Sequence, residues 1–297
     1  MAAGSRCDVL VIGSDAASLA AAIDCARIGL SVTVWIPAEV TFSPTPRTYT
    51  NREGIVAVFL DHYKIPYSIE KPQRGDERIL GIPGNPLSAR VTQVLGKSGR
   101  WRVYRDRITP ILTIGAQSNL GALVQKRMGD AALTQLVNPA TQELYGLNAD
   151  QLDVSVVAPG LSAAMTRAGS LSGGVLEQFV ADPRVCERLI VEGGDKVIID
   201  ELLSTLEYFS ATVVRPKDTS VKLEKFAMKA GAFLLDFGDV DIPENIDKDL
   251  IFEVGISEIN PGLESALPAS LQSALHARRL ILSDPENPPI GPTAIPS

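Results

Sequence analysis

Residues 7–22 read CDVLVIGSDAASLAAA. An apolar run, a glycine and then an alanine-rich segment predict the strand, turn and helix that open a Rossmann-type dinucleotide-binding unit. Of the three glycines in the G-x-G-x-x-G pattern only Gly13 is kept, because Asp15 stands at the second position and Ser18 at the third. The stretch therefore predicts an α/β fold, and a nucleotide-binding turn that lacks two of its three glycines.

The two replacements, Asp15 and Ser18, are expected to weaken nucleotide binding to different extents. The second glycine lets the backbone approach the phosphates, so a side chain at Asp15 blocks that approach and adds a like charge. At ~5 Å and an effective dielectric constant of about 20, this repulsion is about 3 kcal/mol, or roughly a hundred-fold in affinity. Ser18 only crowds the packing of the helix on the strand. We expect Gly13, Ser14, Asp15 and Ser18 to line a degenerate cofactor site.

The second predicted strand, residues 31–36, ends without the residue that the cofactor needs. A carboxylate at this end accepts hydrogen bonds from the ribose hydroxyl groups. The position holds Ile36, and Glu39 follows only after Pro37. Ile36 is therefore a further member of the degenerate site.

Composition limits the remaining classes of function. The net charge of −7, without a block of basic residues, argues against a nucleic-acid partner. Acidic and basic residues interrupt the apolar stretch 9–36, and the start lacks the pattern of a signal peptide, so we expect a cytoplasmic protein without a transmembrane segment. The three cysteines are widely spaced and the two histidines stand alone, which predicts reduced thiols and no metal site.

Shifts in composition predict two domains. Residues 38–54 are expected to be irregular, residues 87–179 mainly helical, and the chain returns to an α/β pattern from residue 188. We assign residues 1–80 and 186–283 to a discontinuous Rossmann-like domain of the FAD-binding type. Residues 81–185 form an inserted, mainly helical domain of the substrate-binding type. The proline-rich residues 284–297 are expected to be disordered.

The middle of the chain resembles a known family. Residues 120–139 (LGALVQKRMGDAALTQLVNP) and 144–155 (LYGLNADQLDVS) are similar in order and spacing to a segment of the bacterial protoporphyrinogen oxidases, in the flavin amine oxidase superfamily. Gly193 and Gly194, ahead of a helix and a strand, resemble that family's Gly-Gly motif. The resemblance covers residues 7–36 and 80–215.

The resemblance implies an FAD-binding domain interrupted by a helical substrate domain that covers the flavin. In that family FAD carries out the dehydrogenation, oxygen reoxidises it, and the protein positions a tetrapyrrole. The departures in this chain concern the cofactor. Besides Asp15, Ser18 and Ile36, residues 42–47 (FSPTPR) replace an Arg-x-Gly-Gly turn, and nothing after Gly262 matches the family's flavin-binding end.

Arginines are the candidate substrate contacts. A cluster at Arg100, Arg102, Arg105 and Arg107 has guanidinium groups of the kind that hold the propionates of a porphyrin. Arg102 and Arg105, together with Tyr145, are the candidate substrate residues. The alternatives are a solvated helix face for the arginines and a turn packed on the core for Tyr145. No catalytic residue is assigned.

Three functions follow. The favoured hypothesis is a protoporphyrinogen-oxidase-like protein that keeps the fold but binds FAD weakly or not at all, and that acts as a porphyrin binder or as the partner of another protein. The alternative is an active FAD-dependent oxidoreductase that oxidises protoporphyrinogen or a related substrate with oxygen. The third is a Rossmann-like protein that takes another nucleotide, such as NADP, with Arg47 near its 2′-phosphate.

Overall fold

The computed structural model describes residues 7–36, 40–109, 118–215, 228–235, 251–257, 259–284 and 289. In chain order, the elements are β1 (Cys7–Ile12), α1 (Ala16–Arg27), β2 (Val32–Trp35), β3 (Arg47–Thr50), α2 (Ile55–His62), β4 (Ser68–Glu70), β5 (Arg78–Ile79), β6 (Ile82–Pro83), α3 (Ala89–Ile108), α4 (Leu120–Met128), α5 (Asp130–Ala132), α6 (Asn138–Tyr145), α7 (Val154–Val157), α8 (Leu161–Ala168), α9 (Leu171–Ala181), β7 (Arg188–Val191), α10 (Gly194–Tyr208), β8 (Thr212–Val214), β9 (Met228–Leu235), β10 (Ile251–Glu253) and α11 (Leu263–Ser283).

The chain divides into two compact units. The first contains Met1–Pro46, Tyr63–Ile65 and Glu192–Ser297, and the second contains Arg47–His62 and Pro66–Val191. The second unit is thus an insertion in the first. The sequence placed the junctions at 80/81 and 185/186, whereas the structure places the main ones at 46/47 and 191/192.

The described residues of the first unit form a five-stranded parallel sheet in the order β10-β9-β1-β2-β8. All six residues of β1 are buried, as expected for a strand covered on both faces. From β1 the chain leaves to β2 on one side, and β9 pairs with β1 on the other. The carboxyl end of β1 is therefore a topological switch point, where open α/β sheets bind ligands.

The alanines of α1 allow this helix to pack closely in the first unit. The helix packs against α10 and α11 as well as against the sheet. Ala17, Ala21 and Ala22 are fully buried, so the small side chains let the helix lie close to its neighbours. The Arg278 guanidinium of α11 donates to Asp24 of α1 over 2.6 Å.

The second unit contains the three-stranded antiparallel sheet β3-β7-β4 and a helical core. Here one expectation was wrong, because residues 47–50 are the strand β3 and not irregular chain. Tyr49 pairs with Leu189 of β7, which is remote in sequence, and this pairing assigns residues 47–80 largely to the second unit. Within the described residues, no helix is long and apolar enough to cross a membrane.

A buried carboxylate organises the helices of this unit. Asp106 in α3 is 0% exposed. Its Oδ1 accepts hydrogen bonds from Arg127 Nε (2.6 Å) and the Leu171 N–H (3.1 Å), and its Oδ2 accepts from the Ser172 N–H (2.8 Å) and Ser172 Oγ (2.9 Å). Arg127 also donates to the Asp106 carbonyl over 2.7 Å. This network joins α3, α4 and the first turn of α9.

Candidate cofactor site

The site that the sequence predicts lies at the carboxyl end of β1. Gly13 follows this strand directly, and its N–H donates to the Trp35 carbonyl of the adjacent β2 over 3.1 Å. Three residues later α1 begins at Ala16, so its N-terminal N–H groups lie at the switch point of the sheet. Such N–H groups, together with the helix dipole, attract anions.

Asp15 occupies this helix end as its N-cap residue. Its Oδ1 accepts from the Ala17 N–H (2.8 Å) and from the Ser18 N–H (3.2 Å), and its Oδ2 accepts from Ser18 Oγ (2.8 Å). The two side chains that replace glycines are thus bonded to each other. The Asp15 carbonyl accepts the first i→i−4 hydrogen bond of the helix, from the Leu19 N–H, over 3.1 Å. Two of the N–H groups that the first turn of α1 would offer to an anion, those of Ala17 and Ser18, are therefore already bonded within the chain.

Ile36, after the end of β2, is part of the core. Its side chain is 1% exposed, and its N–H donates to the Val214 carbonyl of the neighbouring strand over 3.0 Å. A glutamate at this position would therefore be buried. Glu39, the nearest acid in sequence, lies outside the described residues.

Residues 42–46, in the stretch that replaces the Arg-x-Gly-Gly turn, pack against the start of α10. The Ser43 carbonyl accepts from the Lys196 N–H over 3.1 Å. Gly194 has φ +60°, and a Cβ on it would lie 2.1 Å from the Thr45 carbonyl oxygen. Gly194 therefore allows a close approach of two backbone segments. Arg47, the candidate contact of a 2′-phosphate, begins β3 and donates to the Leu144 carbonyl at 3.4 Å.

The candidate substrate residues are spread over the second unit. Arg102 donates to the Arg127 carbonyl (2.9 Å) and the Lys126 carbonyl (3.3 Å), so it caps the C-terminal end of α4. Arg105 is exposed. Tyr145 is buried at the end of α6, before Gly146 with φ +70°, as expected for a turn packed on the core.

The second unit also contains a cavity of about 140 Å³ that sequence reasoning missed. Its described lining includes six charged side chains, four of arginine and two of glutamate: Arg52, Arg78, Arg90, Arg188, Glu143 and Glu187. Burial lowers the pKa of Arg188 below its ordinary value; the charges of Arg78 and Arg90 act in the same direction, and Glu70 opposes them. These residues come from separate segments, so no spacing in the sequence could indicate the cluster.

The three cysteines are free and buried. Burial raises the pKa of Cys25 and of Cys186 to about 12 and also raises that of Cys7. Because the thiolate is the reactive form, none of them is suited to nucleophilic or redox chemistry near neutral pH. Among the described residues, no group of histidine, cysteine and acidic side chains could hold a metal ion.

We therefore expect the native protein to react slowly with a thiol reagent at pH 8, and three thiols to react on unfolding. Raising the pH from the ordinary thiol pKa of 9.0 toward 12 should lower the free energy of unfolding, because the native state holds these protons more tightly. Thiol titration with and without denaturant, and unfolding curves at several pH values, measure both effects. Rapid reaction of even one thiol in the folded protein would contradict this expectation.

Comparison with known proteins supports the fold. No family model and no curated protein sequence matches the chain. Among solved structures, a "putative protoporphyrinogen oxidase" from Exiguobacterium sp. 255-15 is 20% identical with a TM-score of 0.55, over 78% of this chain and 60% of that one. An oxidoreductase from Methanosarcina mazei is 16% identical with a TM-score of 0.45, over 77% of this chain and 58% of that one. This chain spans less than two thirds of either protein. It has the α/β fold of the Exiguobacterium protein, a Rossmann-like unit of the FAD/NAD(P)-binding class with an inserted helical unit.

Proposed function

We propose that the chain is a divergent relative of the bacterial protoporphyrinogen oxidases, in the flavin amine oxidase superfamily, in which the dinucleotide site has been closed. The observation that carries this proposal is the position of the Asp15 carboxylate. It accepts hydrogen bonds from the Ala17 and Ser18 N–H groups at the start of α1. In a Rossmann unit the pyrophosphate takes this place.

The residues at this end of the sheet do not fit the pyrophosphate of FAD. An incoming phosphate would have to displace a bonded carboxylate or lie beside its charge, which costs about 3 kcal/mol at ~5 Å. The ribose would meet the buried Ile36 and not a carboxylate. Both departures weaken binding of the same cofactor, so we infer that the protein binds FAD weakly or not at all and is not an FAD-dependent oxidase.

The favoured role is then that of a non-catalytic binder of a porphyrin-type molecule or of another protein. Among the candidate substrate residues, Arg102 is bonded to carbonyl groups and Tyr145 is buried, whereas Arg105 is exposed. A porphyrin propionate could reach Arg105 without breaking a contact. Porphyrin binding thus stays a prediction, and Arg105 is the residue at which it should first be tested.

The alternative, an active FAD-dependent oxidoreductase, is favoured by one observation. The sheet has its switch point at β1, where a dinucleotide would bind, and Gly13 is kept there. The two proposals differ in the colour of the purified protein. The amount of flavin released per chain, from protein expressed with excess riboflavin, distinguishes the two proposals. A yellow preparation with one flavin per chain would refute the closed site.

Substitution of Asp15 tests the closed site directly. Asp15→Ser keeps a side-chain cap on α1 but removes the charge, whereas Asp15→Gly removes both at a cost of only a few tenths of a kcal/mol. We expect either variant to bind FAD up to roughly a hundred-fold more tightly than the unchanged protein, because the like charge is gone. Fluorescence titration with FAD measures this change.

The matched control is Glu207→Gln, which removes one negative charge from an exposed position of α10 in the same unit. It should leave the FAD titration unchanged. If the control strengthens binding as much as the Asp15 variants do, general charge and not the helix cap governs affinity. If no Asp15 variant strengthens binding, the carboxylate is not what closes the site.

A further inference from the structure

Two of the four cavity arginines lack an acidic partner among the described residues. Arg188 forms ion pairs with Glu143 and Glu70, and Arg78 forms one with Asp76. By contrast, within the described part of the chain Arg52 donates only to the Val156 carbonyl, over 3.1 Å, and the exposed Arg90 forms no ion pair. Among the described residues, Arg52 and Arg90 are therefore the cavity arginines whose positive charge no acidic side chain pairs with.

Polar atoms in the cavity wall are also left without partners. Within the described part of the chain, Arg52 Nε and Thr50 Oγ1 are buried and form no hydrogen bond. Both residues line the cavity. Buried polar atoms of native proteins are rarely unsatisfied, so such atoms beside a cavity indicate a polar ligand. A guanidinium group provides paired N–H donors whose geometry matches carboxylate and phosphate oxygens.

Two segments of the cavity wall have backbone conformations that are uncommon in proteins. Leu80 and Gly81 join β5 to β6 as a two-residue turn in which both φ angles are positive, +50° and +78°. Leu136, which also lines the cavity, belongs to a π-helical turn at Leu133–Val137. Positive φ at leucine is costly, and π-helical turns are frequent at functional sites. The cavity wall thus includes a π-helical turn, a backbone conformation that is frequent at functional sites.

We propose that this cavity binds a small oxyanion with two negative charges, of the phosphate monoester or dicarboxylate class. The two arginines without acidic partners balance the two charges, and Thr50 Oγ1 and Arg52 Nε provide further hydrogen bonds. The volume of about 140 Å³ suits a ligand of this size, since a cavity of about 150 Å³ holds benzene. A tetrapyrrole is much larger than that. All the residues concerned belong to the second unit, so the inference does not rest on the proposed function.

Isothermal titration calorimetry at low ionic strength tests the proposal, with inorganic phosphate, succinate and acetate as probes. We expect one site per chain for phosphate or for succinate, and at least ten-fold weaker binding of acetate, which has a single charge. A preference for phosphate assigns the ligand to the phosphate esters, and a preference for succinate assigns it to the dicarboxylates. The absence of binding by both dianions would overturn the proposal.

Substitutions locate the site. Arg52→Gln and Arg90→Gln should each weaken binding about ten- to hundred-fold, because each removes a charged donor. Arg74→Gln is the matched control, because Arg74 is an exposed arginine of the same unit that does not line the cavity. Equal weakening by all three variants would show attraction to net charge alone and refute the site. Should Arg52→Gln fail to fold, Arg90→Gln tests the site on its own, because the Arg90 side chain forms no hydrogen bond or ion pair with the described residues.

Discussion

Replacing Asp106 with asparagine is expected to lower the free energy of unfolding by about 3–5 kcal/mol, as found when one partner of a buried ion pair is removed. The Asp106 carboxylate is fully buried and accepts from Arg127, from two backbone N–H groups of α9 and from Ser172 Oγ. An amide group presents a donor where one of these donors points. It also leaves the Arg127 guanidinium, 9% exposed, without its counter-charge.

Urea unfolding measures this effect. The control is Asp200→Asn, which breaks the exposed pair with Lys196 and should change the free energy of unfolding by less than about 1 kcal/mol. In the double variant Asp106→Asn with Arg127→Met, we expect a smaller loss than the sum of the two single losses, because no buried charge is then left alone. Additive losses would show that the pair is not coupled.

Replacing Gly81 with alanine is the second large effect. Gly81 has φ +78°, and a Cβ there would lie 2.1 Å from the Leu136 carbonyl oxygen. The left-handed backbone alone costs an alanine about 1–2 kcal/mol, and a clash with fixed backbone adds about 1–3 kcal/mol. The free energy of unfolding should therefore fall by about 2–5 kcal/mol.

Gly146→Ala separates the two contributions. Gly146 has φ +70° with no atom within 4 Å of a Cβ, so its substitution carries only the backbone cost. We expect the loss at position 81 to exceed that at position 146, with both measured by urea unfolding. Equal losses would mean that the π-helical turn yields to the new methyl group without cost.

The parts of the fold that depend on local sequence were predictable. The strand, turn and helix of residues 7–28 follow from an apolar run, Gly13 and consecutive alanines, and the parallel sheet follows from them. Strand β3 was not predictable, because Tyr49 is set by its pairing with Leu189 far along the chain. Local composition predicted that the Rossmann-like domain extends to residue 80, whereas residues 47–62 and 66–80 belong to the second compact unit.

The sequence predicted that Gly13 and Asp15 lie between β1 and α1, but it did not predict the hydrogen bonds of the Asp15 side chain. Asp15 was interpreted only as a missing glycine, although an aspartate directly before an alanine-rich helix is also an N-cap signal. Arg102 was interpreted as a substrate contact, while its partners are carbonyl groups at the end of another helix. The arginines of the cavity lie on separate segments, and only the folded chain brings them together.

The hydrogen bonds of Asp15 bear on whether folding of the protein depends on the supply of riboflavin. A flavoprotein gains stability from its cofactor by mass action, so its folded population follows the supply of the vitamin. In the proposed function, the Asp15 carboxylate takes the place of the cofactor's phosphates at the N-terminus of α1, so the fold does not depend on bound FAD. If the dinucleotide site is closed as we propose, the folded population of the first unit should therefore not change when riboflavin is scarce.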